Sequence, residues 1–362
     1  DVYKRQGCYS AISELKKSYR MAENRLLLAE RMATMAEIWT GKPFPKTDIH
    51  DLWHELSFNQ FHDTLGGSSI REAEDDSIRA LSGITATCER IIDDAGRTIS
   101  AQIDTSGPGG AVVVFNPSAQ PVQSYVEYEP WTDWQAWTDG GWSLADDEDV
   151  PVPYQLIETH EALSSSRSSL NRLVFPVDVP AFGYRMFRFA QGMPQPDLVG
   201  CAVAKAYTLE NHLLRVEFDK SSGNIVSCVD KHTGMELVGP TDWNVGQVID
   251  DESDTWSHDV RSYGDACGMF GDAVIRIVDS GPLQASLLIE RTYEGNRWLQ
   301  QVILRNGDTQ ILIRNWLDWQ GRFKLIKLAC DVAVSEPQAT HDMSYGWCQR
   351  PVDGMEVPTH MW

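Results

Sequence analysis

A chain of 362 residues, 42% hydrophobic and 23% charged, exceeds one ordinary domain at about 150 residues per domain and can bury a large core. With 31 Lys plus Arg against 52 Asp plus Glu, its formal charge of -21 repels nucleic acid and anionic membrane surfaces, and no run of about 18 apolar residues can span a bilayer. Neutral substrates fit this composition, neither nucleic acid nor a membrane is an expected partner, and a homo-oligomer is left open. The seven cysteines (Cys8, Cys88, Cys201, Cys228, Cys267, Cys330, Cys348) are odd in number, scattered and without a CxxC pair, so neither a disulfide framework nor a Cys-based zinc site is indicated. Reduced thiols in a cytoplasmic protein are the simplest reading.

The opening hexapeptide "DVYKRQ", residues 1–6, lacks the apolar core of a signal peptide and resembles a translated transposon end of the kind used in sequencing libraries. The genuine protein is therefore expected to begin at Gly7 as a truncated reading frame, and the missing targeting signal carries no information about localisation.

From Tyr9 to Trp39, Ile12, Leu15, Tyr19, Ala22, Leu26, Ala29, Ala33 and Ala36 recur at steps of three and four, the period of a helix with one buried stripe. "TGKPFPKTD" breaks it, and Asp48 or Asp51 is expected to cap a second helix carrying Leu52, Trp53, Leu56 and Phe61. That helix would deliver His62 near its C-terminus. After Gly66-Gly67, Ser69 to Glu72 has the S-x-x-E form of a capping box, and Ile70, Ile78, Leu81, Cys88, Ile91, Ala95 and Ile99 continue an apolar stripe. Three helices joined by short turns make a compact bundle.

"DTSGPGG", Asp104 to Gly110, is a composition break. Beyond it come β-rich runs: "AVVVFNP", "SYVEYE", the Trp-rich "WTDWQAWTDGGW" with an Asp139-Gly140 hairpin signal, "LVFPVDVP", "YRMFRFA", "LLRVEFD", "NIVSCVD", "AVIRIVD", "ASLLIERTY", "QQVILR" and "QILIRNWLDW". Turn signals such as "DKSSGN", "YEGN" and "RNGD" separate them, which argues for antiparallel β-sandwiches. The fold class is multidomain α then β: a three-helix bundle over residues 7–104, a first β domain over 105–198, and a large β-sandwich domain over 199–362, truncated at its C-terminus.

From the residues alone, His62-Asp63 reads as a helix-terminal histidine beside an Asp that caps the next turn. One histidine is not a metal site, and no His or Cys at ligand spacing from His62 lies nearby. The stretch Asp250, Asp251, Glu252 and Asp254, with Trp256 and His258, admits a cation or sugar site but lacks an EF-hand pattern, and a solvated loop is the simpler reading. Trp131, Trp134, Trp137 and Trp142 admit sugar stacking, although packing within a hairpin is favoured. Ser164 to Asn171, "SSSRSSLN", reads as a mobile loop.

"GCYSAISELKKSYRMAENRLLLAE" followed by "LWHELSFNQFHDTLGGSSIREAEDD" resembles the middle three-helix domain of glycoside hydrolase family 38, the retaining α-mannosidases. "VVVFNP", "VPAFGYRMFRF", "TLENHLLRVEFDKSSGNIVSCVDKHTGMEL", "IDDESDTWSHDV", "SGPLQASLLIERTY" and "YGWCQRPVDGMEVPTHMW" resemble that family's C-terminal β domains. The resemblance implies that His62 is one ligand of a catalytic divalent metal, usually zinc, and that Asp63 contacts the bound sugar of a mannose-containing oligosaccharide. It also implies that the remaining metal ligands, the nucleophilic aspartate and the general acid lie upstream of Gly7, leaving no catalytic residue here and the fragment inactive alone. In the last stretch Tyr345, Arg350 and Glu356 match no single family contact and stay outside the site. A non-catalytic carbohydrate-binding β-sandwich protein is the alternative. A glycosidase with two carboxylates inside this chain has little support, since nothing pairs any two acids at the roughly 5 to 5.5 Å that retention needs.

Overall fold

The computed structural model describes residues 7–107, 110–130, 137, 140–157, 172–258, 260, 262–354, 356–357 and 359. They form two compact units: one takes the residues up to Gln123 with Val177–Arg188 and Ser253–Arg261, the other Ser124–Pro176, Phe189–Glu252 and Ser262 onward. Trp131, Trp134, Asp139 and the serine-rich run 164–171 lie outside the described residues.

The first unit is helical at its centre: α1 (Gly7–Ser10), α2 (Ser13–Thr40), α3 (Lys46–Phe58), α4 (His62–Leu65) and α5 (Arg71–Ser100). Buried Leu15, Tyr19, Ala22, Leu26, Ala29 and Ala33 of α2 face Leu81, Ile84, Cys88 and Ile91 of α5, while α3 adds Ile49, Leu52 and Leu56. Steps of three and four keep each stripe on one face, and every fully buried aliphatic side chain there adds roughly 1.5–3 kcal/mol. At the far end Met32, Met35, Ala95 and Ile99 pack with Phe115, whose strand Ala111–Asn116 pairs antiparallel with Gly183 to Arg188. Buried Asn116 fastens that pair by donating to the carbonyls of Gln120, Val179 and Pro180.

Three local expectations give way to backbone geometry. The first helix does not run unbroken from Tyr9: Ile12 takes the left-handed φ of 50° and separates α1 from α2. The second opens at Lys46, directly behind Pro45, so neither Asp48 nor Asp51 caps it, although Asp48 in the first turn still suits the positive end of the helix dipole. The capping box does not form, because α5 starts after Ile70 and the Ser69 hydroxyl donates instead to the Asp63 carbonyl at 2.9 Å.

The second unit carries the β structure. One sheet runs in the order Gly271–Ser280, Gln284–Tyr293, Asn296–Arg305, Ile311–Asp318, all antiparallel neighbours. Its central hairpin turns through Glu294 (φ 46°) and Gly295 (φ 80°), as "YEGN" predicts. A second sheet orders Ala266–Met269, Val238–Asp250, Ile225–Asp230, Leu214–Phe218, Thr208–Glu210 and Val203–Lys205, with Lys324–Val332 also on the long strand. Val216, Phe218, Ile225 and Cys228 of that sheet share one core with Leu287, Ile289, Val302 and Leu304 of the first, the dry interior of a sandwich. Val238–Asp250 reads poorly as a strand because its first half, "VGPTDW", carries Gly and Pro.

Arg291 is the one large cation in this interior among the fully buried side chains. It donates to the carbonyls of Asn244 and Gly223 and to Asn224 Oδ1, its guanidinium lies 5.6 Å from the Trp298 ring centre, and burial draws its pKa down to about 10. It therefore stays charged at neutral pH and ties the Gly223 turn to the facing strand. No helix among the described residues is long and apolar enough to cross a membrane.

Two outcomes follow from this packing. Leu81→Ala empties a fully buried position of the helical core and is expected to cost about 2–5 kcal/mol, read as a lowered urea midpoint for the helical far-ultraviolet signal. The cysteines are all free, and burial, joined by nearby carboxylates, pushes the Cys88 and Cys228 thiols up to about 11. At pH 8 these two therefore remain protonated and sheltered, so a chromogenic disulfide reagent is expected to modify exposed Cys201, Cys267 and Cys330 first and Cys88 and Cys228 only in denaturant.

Candidate metal and sugar site

The turn that carries His62 is built from the end of α3. Buried Asn59 closes that helix, its Nδ2 and backbone N–H both donating to the Glu55 carbonyl at 2.9 and 3.1 Å. Phe61 then takes an extended ψ of 137°, and His62 opens the single turn of α4 rather than ending α3 as the sequence suggested. Leu65 anchors α4 in the helical core.

The return to α5 is fixed by backbone and serine hydroxyls. The Asp63 carbonyl accepts from the Ser68 N–H (3.2 Å), the Ser68 hydroxyl (3.2 Å) and the Ser69 hydroxyl (2.9 Å). Gly66 sits so close that a Cβ there would stand 2.6 Å from the His62 carbonyl oxygen, and Gly67 adopts a φ of +78°. Both positions need glycine.

The result presents His62 and Asp63 side by side to solvent. Their side chains are 73% and 53% exposed, with Nε2 3.6 Å from Oδ2, and the Phe61 ring lies 4.3 Å from the imidazole. Exposed Phe58 and Ile70 flank them in sequence. Among the described residues no group of three or more His, Cys, Asp or Glu side chains is placed to hold a metal ion. The site thus offers one borderline nitrogen donor with an acidic neighbour, which fits one coordination position and leaves the rest to other groups.

The other candidate residues are engaged locally. Asp250 pairs with Lys324, and that ammonium holds its carboxyl below the usual range. Asp254 lies 2.5 Å from His258 Nδ1 and also accepts the His258 N–H; these hydrogen bonds lower its pKa. Ser257 is buried and accepts from the Gly7 N–H at 2.7 Å, so this loop is seated on the start of α1. Trp137 is 2% exposed and packs edge-on against Tyr154 and Phe189, which leaves its faces to protein neighbours. Tyr345 is fully exposed, and Glu356 pairs with Lys327.

The chain is thus a helical bundle followed by antiparallel sheets, with the His62-Asp63 turn displayed at a helix junction. Residues 5–99 match the alpha mannosidase middle domain and residues 209–362 the glycosyl hydrolases family 38 C-terminal domain, so the chain belongs to glycosyl hydrolase family 38, represented by its middle and C-terminal parts. Among curated relatives, alpha-mannosidase 2C1 of Mus musculus and that of Homo sapiens are each 22% identical over 384 residues. Alpha-mannosidase G of Dictyostelium discoideum is 19% identical over 395. The chain is covered almost completely, at 98–99%, yet spans only 32–35% of these relatives' length. A solved structure of a glycosyl hydrolase family 38 protein from Enterococcus faecalis has the same fold, with a TM-score of 0.77 at 16% identity, covering 96% of this chain and 48% of that one. An alpha-mannosidase from E. faecalis V583 superposes equally well, covering 97% of this chain and 46% of its own.

Replacing Gly66 with Ala is expected to push the His62 carbonyl away and lower stability by about 1–3 kcal/mol. The urea midpoint measures the second effect, and a shifted His62 imidazole resonance in a histidine-selective NMR spectrum the first.

Proposed function

We propose that this chain is the middle and C-terminal part of a retaining, metal-dependent α-mannosidase that hydrolyses terminal α-mannosyl residues of oligosaccharides. The observation that carries the reading is the exposed His62-Asp63 pair on a turn fastened at the Asp63 carbonyl, within a chain whose two matched segments both belong to one mannosidase family. His62 would hold one position of a divalent metal, zinc by the borderline character of imidazole, and Asp63 would accept hydrogen bonds from the sugar hydroxyls. When bound, such an ion polarises the hydroxyls it touches and favours ring distortion toward an oxocarbenium-like transition state.

This chain's own contribution is positional. The short α4 turn sets the imidazole and the carboxylate side by side, and the glycine and serine contacts keep them from drifting. Nucleophile, general acid and the other metal ligands belong, in this reading, to sequence preceding Gly7, so the 362-residue chain by itself is inactive. The domain division at 7–104, 105–198 and 199–362 and a cytoplasmic location are part of the same proposal; seven free thiols support the latter. The alternative of a non-catalytic carbohydrate-binding β-sandwich protein draws on the β-sandwich content, and the match of both segments to one mannosidase family weighs against it.

The test is to express the chain together with the coding sequence that precedes it in its genome, and to assay aryl α-mannosides. The longer protein is expected to turn them over with retention of anomeric configuration, whereas the 362-residue chain alone gives none. His62→Ala in the longer protein is expected to lose one bound metal ion together with activity. Turnover by the short chain would overturn its inactivity, and an unchanged ion count at His62→Ala would overturn the ligand role.

A further inference from the structure

Two histidines that play no part in the site above, His50 and His54, lie four residues apart in α3. Four residues is slightly more than one helical turn, which places both side chains on the same face with Cβ atoms about 5–6 Å apart. Their ring centres stand 4.4 Å apart at an angle of 50°. Both are exposed, on the side of α3 away from the buried stripe of Ile49, Leu52 and Leu56. No burial pressure drives the two rings together; helix spacing alone does so.

His50 Nδ1 also lies 3.4 Å from Asp51 Oδ1. A carboxylate beside one imidazole nitrogen favours the ring orientation that turns the other nitrogen outward, the outer-shell arrangement found behind metal-bound histidines. Nε2 of His50 is thereby the nitrogen left to face an ion.

We propose that His50 and His54 form a two-point chelate for a borderline divalent transition-metal ion on the outer face of α3, distinct from the position assigned to His62. Imidazole nitrogen suits Cu²⁺, Ni²⁺ and Zn²⁺ and does not suit Mg²⁺ or Ca²⁺, which take oxygen donors. Water completes the coordination, so the site exchanges its ion readily instead of closing around it as a structural zinc site does. The order of affinity follows ligand-field preference, Cu²⁺ above Ni²⁺ and Zn²⁺.

This inference does not rest on the mannosidase reading, but it bears on how that reading is tested. A protein that carries an ion on α3 as well as at His62 would still hold metal after His62 is replaced. Ion counts for His62→Ala therefore need His50 and His54 replaced in the background.

The experiment first alkylates the exposed thiols of the 362-residue chain, freed of any histidine tag, and then titrates it with CuSO₄, ZnCl₂ and MgCl₂ by calorimetry, alongside His50→Gln, His54→Gln, the double variant and His232→Gln, all treated alike. His232, exposed on a turn of the second unit, serves as the control. The expected result is one Cu²⁺ equivalent whose electron paramagnetic resonance spectrum shows coupling to two imidazole nitrogens. Affinity should fall at least about 10-fold in either single variant, and Asp51→Asn should weaken it by about 10-fold as loss of an outer-shell partner does. Zn²⁺ should bind more weakly, Mg²⁺ not at all, and His232→Gln should match the unaltered chain. The replaced side chains are exposed, so circular dichroism should be unchanged and the comparison stays one of folded proteins. A double variant with an unaltered Cu²⁺ isotherm would overturn the proposal.

Discussion

The Asp63 carbonyl is the point on which the geometry of the candidate site depends. It receives one backbone N–H and two serine hydroxyls, at 2.9–3.2 Å. Each bond is worth only about 0.5–1.5 kcal/mol. Together they close the loop between α3 and α5 over a turn of four residues, where an unsatisfied carbonyl would otherwise compete for other partners. The two side chains beyond it stand in solvent and are held through their backbone, so the turn decides where the imidazole and the carboxylate are displayed.

The helical part was largely legible because its signal is redundant. Seven of the nine buried positions on α2 and six apolar ones on α5 repeat the same period, and no single exception can hide it. Boundaries were less legible. Ile12 breaks the first helix with a left-handed φ that no β-branched residue advertises, and Pro45 starts the next one three to six residues before the acids expected to cap it. In the β region the hairpins marked by Glu294-Gly295 and by Asp219 to Gly223 followed their turn chemistry. Val238–Asp250 did not announce itself, because a strand interrupted by bulges keeps its pairing while losing its alternation.

The candidate site was legible only through family likeness. In isolation His62 and Asp63 look like an ordinary helix junction, and their coordinates agree: both are exposed, and no third ligand-type group is gathered beside them among the described residues. A site shared between distant segments, as proposed for this one, would leave only its own fraction in each, and periodicity carries no record of a partner elsewhere. The serines were visible, but their role was misread. Ser69 fits a capping box by spacing, whereas its hydroxyl is taken by the Asp63 carbonyl one turn earlier. His50 and His54 show the converse. Their i, i+4 spacing was plain in the sequence, yet it says something only once the helix is known to turn both rings outward.

The contact between Gly7 and Ser257 has a consequence for the order of synthesis. Ile103 and Phe115 complete the far end of the helical core soon after Ser100, but its compact unit also includes Val177–Arg188 and Ser253–Arg261, and the first helix donates its opening N–H to a hydroxyl 250 residues downstream. At about 5–20 residues per second, a ribosome takes roughly 10 to 30 s to pass from the end of α5 to that loop. For that interval the Gly7 N–H has only water to bond, although all the helices of the bundle have been synthesised. The unit nucleates early and closes late, with its first residue among the last to find its partner.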